Sequence, residues 1–271
     1  MILGTDLLGR RLPSLIEGLA CDRLFVLIDP ALKRLQEVCI TELQAELSPS
    51  TAYYSLECSG EESKTPSQLA ELWSWLAEAG ASRQSLLVII GGGALLDLGG
   101  FAAATYMRGI RTINVPTTLL AMVDASVGGK TAIDFAGVKN LVGAFHLPEE
   151  VLIDTAFLET LALEELLSGY GEIIKHASLQ GGEAWRQLRH LGDPVGLSDA
   201  EWLELIRASV DYKATIVAAD PRESGLRRIL NAGHTVGHAL EAFALARPQG
   251  QSLRHGEAVV LGLIVESYLT T

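Results

Sequence analysis

Two imidazoles and a carboxylate fall on one apolar stretch, Asn231-Ala232-Gly233-His234-Thr235-Val236-Gly237-His238-Ala239-Leu240-Glu241. Helical spacing from about Thr235 puts His234, His238 and Glu241 on one face, because positions four and seven apart stack along a helix. A second group, His255-Gly256-Glu257, opens the next apolar run, and Glu172 lies earlier in Gly171-Glu172-Ile173-Ile174-Lys175-His176, with a lysine one turn later. Two imidazole nitrogens with one carboxylate oxygen, and a position left for water or substrate, make the donor set of a catalytic zinc ion. The same histidines would serve as packing or surface residues if they did not converge. Gly233, Gly237 and Gly256 favour convergence. A glycine within a helix costs about 1 kcal/mol against alanine and needs a reason, such as the close approach of a ligand. A metalloprotease is excluded, since Thr235 stands where that motif needs a catalytic glutamate.

A second kind of chemistry is written in glycines and lysines. Gly91-Gly92-Gly93 joins the apolar run at 86–90 to a helix-like pattern at 94–106. A glycine turn at a helix N-terminus offers backbone N–H groups to a pyrophosphate, although it lacks the full dinucleotide fingerprint and also reads as a plain tight turn. Further on, Asp124-Ala125-Ser126-Val127-Gly128-Gly129-Lys130-Thr131 resembles the tail of a P-loop, but Asp124 stands where that loop needs glycine, which removes the ATPase reading. What remains is a Gly-Gly pair carrying Lys130, with Lys139-Asn140 shortly after, in a setting more apolar than a usual lysine surface.

The elements that must position these residues fall into two patterns. Strand-like runs at 24–29, 52–58, 86–90, 112–115 and 151–154 alternate with helix-like runs at 31–47, 66–80 and 94–106, the alternation of βα units on a parallel sheet. From about Leu161 the pattern is helical, over 163–179, 200–218, 235–245 and 256–268, with a looser connection at 181–199 and a short loop at 248–253. The expected fold class is therefore α/β plus all-α: an N-terminal Rossmann-like parallel-sheet domain over 1–160 and a helical C-terminal domain over 161–271.

Composition narrows the function classes. The chain has 271 residues, 48% of them hydrophobic and 20% charged, which describes a globular α/β protein with ample core. A formal net charge of −12 argues against nucleic acid or an anionic membrane as partner, since phosphate neutralisation needs an electropositive face. Cys21, Cys39 and Cys58 lack metal or redox spacing and read as reduced thiols. The N-terminus has no signal-peptide pattern and no apolar window is long enough to span a bilayer, so the expected location is the cytoplasm.

With these residues in hand, the chain resembles the 3-dehydroquinate synthase family of the sugar phosphate cyclase superfamily. The likeness runs from about Gly60 to the last residue, in four blocks: Gly91-Gly92-Gly93 with Asp97, Gly99-Gly100-Phe101 and Arg108-Gly109; Pro116-Thr117-Thr118-Leu119-Leu120 to Asp124 and Gly128-Gly129-Lys130; Gly171-Glu172 with Lys175; and Arg227, Leu230-Asn231, Gly233-His234-Thr235, His238 and His255-Gly256-Glu257.

The resemblance implies NAD on the Rossmann-like domain, a catalytic zinc ion, which Co2+ could replace, on the helical one, and an active site in the cleft between them. Glu172, His234 and His255 match the zinc ligands, and His238 matches a substrate-side histidine, which changes the simpler reading in which both helix imidazoles bind metal. Asp124, Lys130, Asn140, Lys175, Lys213, Arg227 and Asn231 match positions that hold the substrate's carboxylate, hydroxyls and phosphate, and Arg108 matches one reached across a homodimer interface. For NAD the matching positions are Gly92, Gly93, Asp97, Thr117, Thr118, Lys139 and Thr160, with Glu61 and Lys64 near the ribose and Asp29 at the end of an early strand. The implied activity converts 3-deoxy-arabino-heptulosonate 7-phosphate, a small sugar phosphate, to 3-dehydroquinate and phosphate through transient oxidation by NAD, β-elimination, reduction and aldol closure. Cations such as Lys130, Lys213 and Arg227 suit that polyanion. Family members continue past the point matching Thr271 with helices that carry another phosphate-contacting lysine. A C-terminal end cut short, with apolar surface left open, is therefore expected. Arg227 with Asn231 favours a carboxylate-bearing substrate over other cyclase substrates. The alternatives are a metal-dependent polyol dehydrogenase, which would not need so many cations, and a non-catalytic binding homologue.

Overall fold

The computed structural model describes residues 1–35, 37–48, 50–56, 60–245 and 253–269. The chain forms two compact units, one of residues 1–117 and 128–160 and the other of residues 118–127 and 161–271. The ten residues 118–127 thus pack with the helical part of the chain.

The first unit is built on a parallel six-stranded sheet. Its elements are β1 (Ile2–Gly4), α1 (Leu8–Leu19), β2 (Leu24–Ile28), α2 (Pro30–Leu35), α3 (Glu37–Glu46), β3 (Ala52–Ser55), α4 (Pro66–Glu78), β4 (Leu86–Gly91), α5 (Gly93–Thr105), β5 (Arg111–Pro116), β6 (Lys130–Phe135), β7 (Val138–Phe145) and β8 (Glu150–Asp154). Strand order is β1-β8-β5-β4-β2-β3. Every residue of β2 and β4 is buried. Unbroken apolar runs such as Leu-Phe-Val-Leu-Ile are what a strand covered by helices on both faces requires.

After β2 the chain steps outward to β3, then returns to the other side of β2 to place β4 and moves away through β5. The sheet therefore reverses direction between β2 and β4, where open α/β sheets leave a crevice beyond the strands' carboxyl ends. Asp29 and Gly91 stand at those ends, and the backbone N–H of Asp29 donates to Ile90 O at 3.0 Å. Helix α5 rides close over this point, since a Cβ at Gly99 would lie 2.9 Å from side-chain atoms of both Ile89 and Leu27.

The helical unit comprises α6 (Leu163–Gln180), α7 (Gly182–Leu191), α8 (Asp199–Ala219), α9 (His234–Leu245) and α10 (His255–Leu269), with a 3-10 turn at Leu226–Asn231 and a π-type turn at Ala121–Ala125. Ser198 and Glu201 form a reciprocal capping box that starts α8. Helix α10 packs against both α6 and α9, and glycines let it do so at backbone distance. A Cβ on Gly256 would overlap the Ser168 carbonyl, and one on Gly262 would overlap the Gly233 carbonyl. These glycines therefore serve close helix packing, and not the approach of a ligand. Gly256→Ala is expected to cost about 3 kcal/mol or more through overpacking, read as a lowered urea midpoint with an unchanged slope.

The helix expected over 31–47 is matched by the helical stretches Pro30–Leu35 and Glu37–Glu46, residue 36 lying outside the described residues. Several expectations need revision. The loose connection expected at 181–199 contains α7, whose entry is masked in sequence by Gly181 and Gly182, both at positive φ. The β6–β7 antiparallel hairpin was not expected at all. It exposes Phe135, Val138, Leu141 and Phe145, so it lacks the buried-face alternation that marks a strand. Cys58 and most of the loop expected at 248–253 lie outside the described residues, and Cys21 is a free, half-buried thiol. Leu261, Ile264, Val265, Tyr268 and Leu269 are exposed apolar residues on α10. No helix among the described residues is long and apolar enough to cross a membrane.

Candidate active site

The close crossing of α6 and α10 sets Glu172 beside His255, and the α9–α10 crossing adds His234. One ligand atom from each of Glu172, His234 and His255 lies within 4.8 Å of the other two. Glu172 Oε1 is 3.6 Å from His255 Nε2 and 3.9 Å from His234 Nε2. The carboxylate is fully buried, and neither of its oxygens has a hydrogen bond. Its one strong partner is the Lys175 ammonium, an ion pair at Oε2. With Oε2 taken by Lys175, Oε1 is left facing two imidazole nitrogens, an oxygen-nitrogen set that fits a divalent ion such as zinc.

The three groups are tuned differently. Burial alone would raise the Glu172 carboxyl, but Lys175 outweighs it and holds the group down at about 2, ionised. Burial and then Lys175 lower His234, keeping its ring neutral. His255 goes the other way: burial is overcome by Glu172 and Glu241, which raise it to about 9.

Two further sets of possible ligand atoms adjoin this one: His238, Glu241 and His255, and Asp124, Glu172 and His176. The second holds two lysines. Lys213 Nζ donates to Asp124 Oδ1 at 2.5 Å and to Asp124 O at 2.7 Å. Burial would raise Asp124, but Lys213 and then Lys175 hold it well below the usual carboxylate range. With Lys213 and Lys175 against its carboxylates, this set is an anion-facing one and not a second cation site. His176 completes it, fully buried, with Nδ1 2.6 Å from Ser209 Oγ on α8 and Nε2 without a hydrogen bond. Burial and Lys175 press it down to about 4, so it is neutral. Sequence reading missed both His176 and Ser209, 33 residues apart.

Arg227 is buried and lies at the start of the 3-10 turn. Its guanidinium donates to Pro221 O at 2.8 Å. Asp220 shapes this loop by accepting from the backbone N–H groups of Ser224, Gly225 and Arg227 at 2.9, 2.7 and 3.1 Å. The Gly225 bond, ahead of the others, draws its carboxyl down to about 2. A depressed folded-state value means stability that is present above about pH 4 and is lost as pH falls from about 4 to about 2. Asp220→Asn is therefore expected to flatten the pH dependence of unfolding in that window, checked by urea titrations at stepped pH. Asn231 Nδ2 donates to Glu223 Oε1 at 2.5 Å, at the exposed edge of this loop. His238 is exposed on α9, its ring centroid 5.3 Å from that of His234.

In the sheet unit, Gly92 is the N-cap of α5 and Gly93 its first residue, at the reversal point of the sheet. Asp97 follows one turn later. Its carboxylate accepts from Lys64 Nζ at 2.9 Å, and Lys64 also pairs with Glu61 at 3.5 Å and bonds to Asn140 Oδ1. Burial opposes the charge on Lys64, but Asp97 and Glu61 more than restore it. The structure thus gathers Glu61, Lys64, Asp97 and Asn140, and puts Asn140 with residues expected at the cofactor. Asp29 Oδ1 accepts from Ala31 N at 2.9 Å, and Thr117 N donates to Gly91 O at 3.1 Å, both beside the glycine turn. Thr118 belongs to the other unit, where its hydroxyl accepts from Ala121 N at 3.2 Å. Lys130 and Lys139 are exposed on β6 and β7, Arg108 is exposed at φ 69°, and Thr160 is exposed at the end of a 3-10 turn.

Known proteins share this arrangement of sequence. A family model described as 3-dehydroquinate synthase N-terminal matches residues 56–168, and one described as 3-dehydroquinate synthase C-terminal matches 169–271. The 3-dehydroquinate synthase of Parabacteroides distasonis is 42% identical over 97% of this chain. This chain belongs to the 3-dehydroquinate synthase family. The family protein of Latilactobacillus sakei is 49% identical over 78% of the chain. The chain spans 73% of the first relative's length and 58% of the second's. Among solved structures, 2-deoxy-scyllo-inosose synthase complexed with carbaglucose-6-phosphate, NAD+ and Co2+ matches with TM-score 0.81 at 26% identity, over 99% of this chain and 73% of that one. A 2-epi-5-epi-valiolone synthase from Streptomyces hygroscopicus with NAD+ and Zn2+ bound matches with TM-score 0.77 at 27% identity, over 97% and 71%. The 3-dehydroquinate synthase fold, a parallel Rossmann-like sheet with a helical C-terminal part, is thus shared with sugar phosphate cyclases.

Proposed function

We propose that this chain carries 3-dehydroquinate synthase activity, eliminating phosphate from 3-deoxy-arabino-heptulosonate 7-phosphate and closing the product to 3-dehydroquinate, the ring-forming step of the shikimate pathway. The observation that carries the reading is the helical unit's cluster, in which a buried glutamate, paired through one oxygen with Lys175, turns the other to two histidines. A polyol dehydrogenase needs the metal donors but has no use for the cations. The relatives' names and the cyclase complexes support the same assignment.

Glu172, His234 and His255 would hold the divalent ion, zinc or cobalt, and the Gly91–Gly93 turn with Asp97, Lys64 and Glu61 would hold NAD. When bound, NAD supplies reversible hydride acceptance and the metal supplies polarisation of a substrate oxygen.

The chain's own residues do the remaining work. Lys213, held by Asp124, presents a fixed ammonium to an anionic group, and Arg227 offers the fork suited to a carboxylate. Lys130, exposed at the start of β6, would supply a further cation to the substrate. Lys175 and His238 would handle protons as the leaving phosphate departs. Arg108 would act across a homodimer interface, in a cytoplasmic enzyme.

The test is incubation of the purified chain with that sugar phosphate, NAD and zinc. The expected result is equimolar release of phosphate and a carbocyclic product with no net rise in absorbance at the reduced nicotinamide band. A steady accumulation of reduced nicotinamide, with no phosphate released, would instead mark a dehydrogenase.

A further inference from the structure

We propose that Glu241 is a positioning residue of the metal centre: it fixes the ring and tautomer of His255. The inference rests on the reading of Glu172, His234 and His255 as the ligand set, and goes beyond it. His255 is bracketed by two carboxylates, one at each ring nitrogen. Its Nε2 is 3.6 Å from Glu172 Oε1, and its Nδ1 is 3.5 Å from Glu241 Oε1. An imidazole can give a metal only the nitrogen that carries a lone pair, and the proton then sits on the other.

Which side takes the ion follows from the two carboxylates. Glu172 is fully buried, with Oε2 paired to Lys175 and Oε1 turned to both His255 Nε2 and His234 Nε2, whereas the Glu241 side chain is 16% exposed on α9. The site that needs a cation is therefore on the Nε2 side, and Nδ1–H faces Glu241. His234 repeats the pattern. Its Nε2 faces Glu172 and its Nδ1 lies 3.3 Å from Ala232 O, a backbone acceptor that selects the same tautomer. Each histidine thus has an outer partner that orients it, a carbonyl for His234 and a carboxylate for His255. Outer partners of this kind raise the basicity of the ligand and lock its ring.

The placement also follows from the sequence. Glu241 lies seven residues after His234, on the same face of α9, and the α9–α10 crossing at Gly262 brings that face against the start of α10. The neighbouring possibility is that Glu241 is itself a ligand, together with His238 and His255. The two roles predict different responses to an amide, because Gln keeps an acceptor for Nδ1–H but is a poor metal ligand.

The experiment measures the zinc dissociation constant of the full chain by chelator competition, together with the visible absorption spectrum of the Co2+-loaded protein, for the wild type, Glu241→Gln, Glu241→Ala and Glu172→Gln. Glu241→Ala is expected to weaken zinc binding by about 10- to 100-fold. Glu241→Gln is expected to lose less than that, with a Co2+ spectrum of unchanged shape, since the donor atoms are unchanged. Glu241→Gln also guards against misfolding, because it keeps the size and hydrogen bonding of the side chain. Wild-type affinity in a folded Glu241→Ala protein would overturn the proposal. So would a Glu241→Gln protein as defective as Glu172→Gln with an altered Co2+ spectrum, which would make Glu241 a ligand. A wild-type chain that binds no zinc would overturn the ligand set and this inference together, whereas normal wild-type binding with an indifferent Glu241 would overturn only the latter.

Discussion

Glu172→Gln is expected to lower zinc affinity by more than about 100-fold, above the loss typical of an outer-shell partner, and to remove phosphate release with it. The reason is geometric. Glu172 is the only carboxylate facing both His234 Nε2 and His255 Nε2 among the described residues, and it is held ionised by Lys175. The amide keeps the volume, so the core survives, but Lys175, 1% exposed, loses its counter-ion. Leaving a charge buried without its partner costs about 3–5 kcal/mol in strongly buried pairs. The variant is therefore expected to be both metal-free and less stable. The stability part should be recovered by the second substitution Lys175→Met, which removes the stranded charge, while the metal affinity should not return. Chelator competition reads the first effect and urea unfolding the second. A Glu172→Gln protein that still binds zinc at wild-type affinity would sink the ligand assignment.

Lys213→Met is expected to be the next most damaging change. Lys213 is nearly buried, and its ammonium is pinned by Asp124 through both the carboxylate and the backbone carbonyl. Removing it strands the Asp124 carboxylate, whose side chain is 28% exposed and so keeps some water. The expected loss is about 3 kcal/mol, toward the lower end for broken buried pairs. The Asp124 carboxyl should rise, because its largest stabilising charge is gone and Lys175 is left to oppose burial. Pairing Lys213→Met with Asp124→Leu should recover much of the stability, a non-additivity that a double-mutant cycle measures directly. It should not recover activity, since the cation that would hold the substrate is absent in both. Simple additivity of the two stability losses would show that the pair is not coupled as the geometry requires.

The sequence made some of this architecture readable and hid the rest for identifiable reasons. Strands β2 and β4 were plain because a strand covered on both faces must be apolar throughout, and the Gly91–Gly93 turn was plain because three glycines between a strand and a helix stand out, Gly91 having no room for a Cβ beside Leu95. The hairpin β6–β7 was not, since Phe135 and Phe145 point to solvent and Gly137 and Gly143 interrupt the pattern. Helix α7 hid behind Gly181 and Gly182, a glycine pair that reads in sequence as an open connection.

At the site, His234, His238 and Glu241 were legible together because helical spacing is local. His255 and Glu172 were legible as donors by residue type, but their meeting depends on Gly171 and Gly256, 85 residues apart, packing backbone against backbone. The glycines were visible, yet their reason was not, because a ligand's approach and a helix's approach leave the same mark in sequence. His176 and Ser209 carried no local signal. Each is an ordinary helical residue until α6 and α8 are packed together.

The central claim is that α6, α9 and α10 bring three ligands to one metal ion. Equilibrium dialysis of the apo chain against zinc tests it most directly, run beside Glu172→Gln, His234→Ala and His255→Ala. About one tightly held ion per wild-type chain is predicted, with that ion lost in each of the three variants. Retention of a full equivalent of tightly bound zinc in any one of them, or its absence from the wild type, would contradict the account.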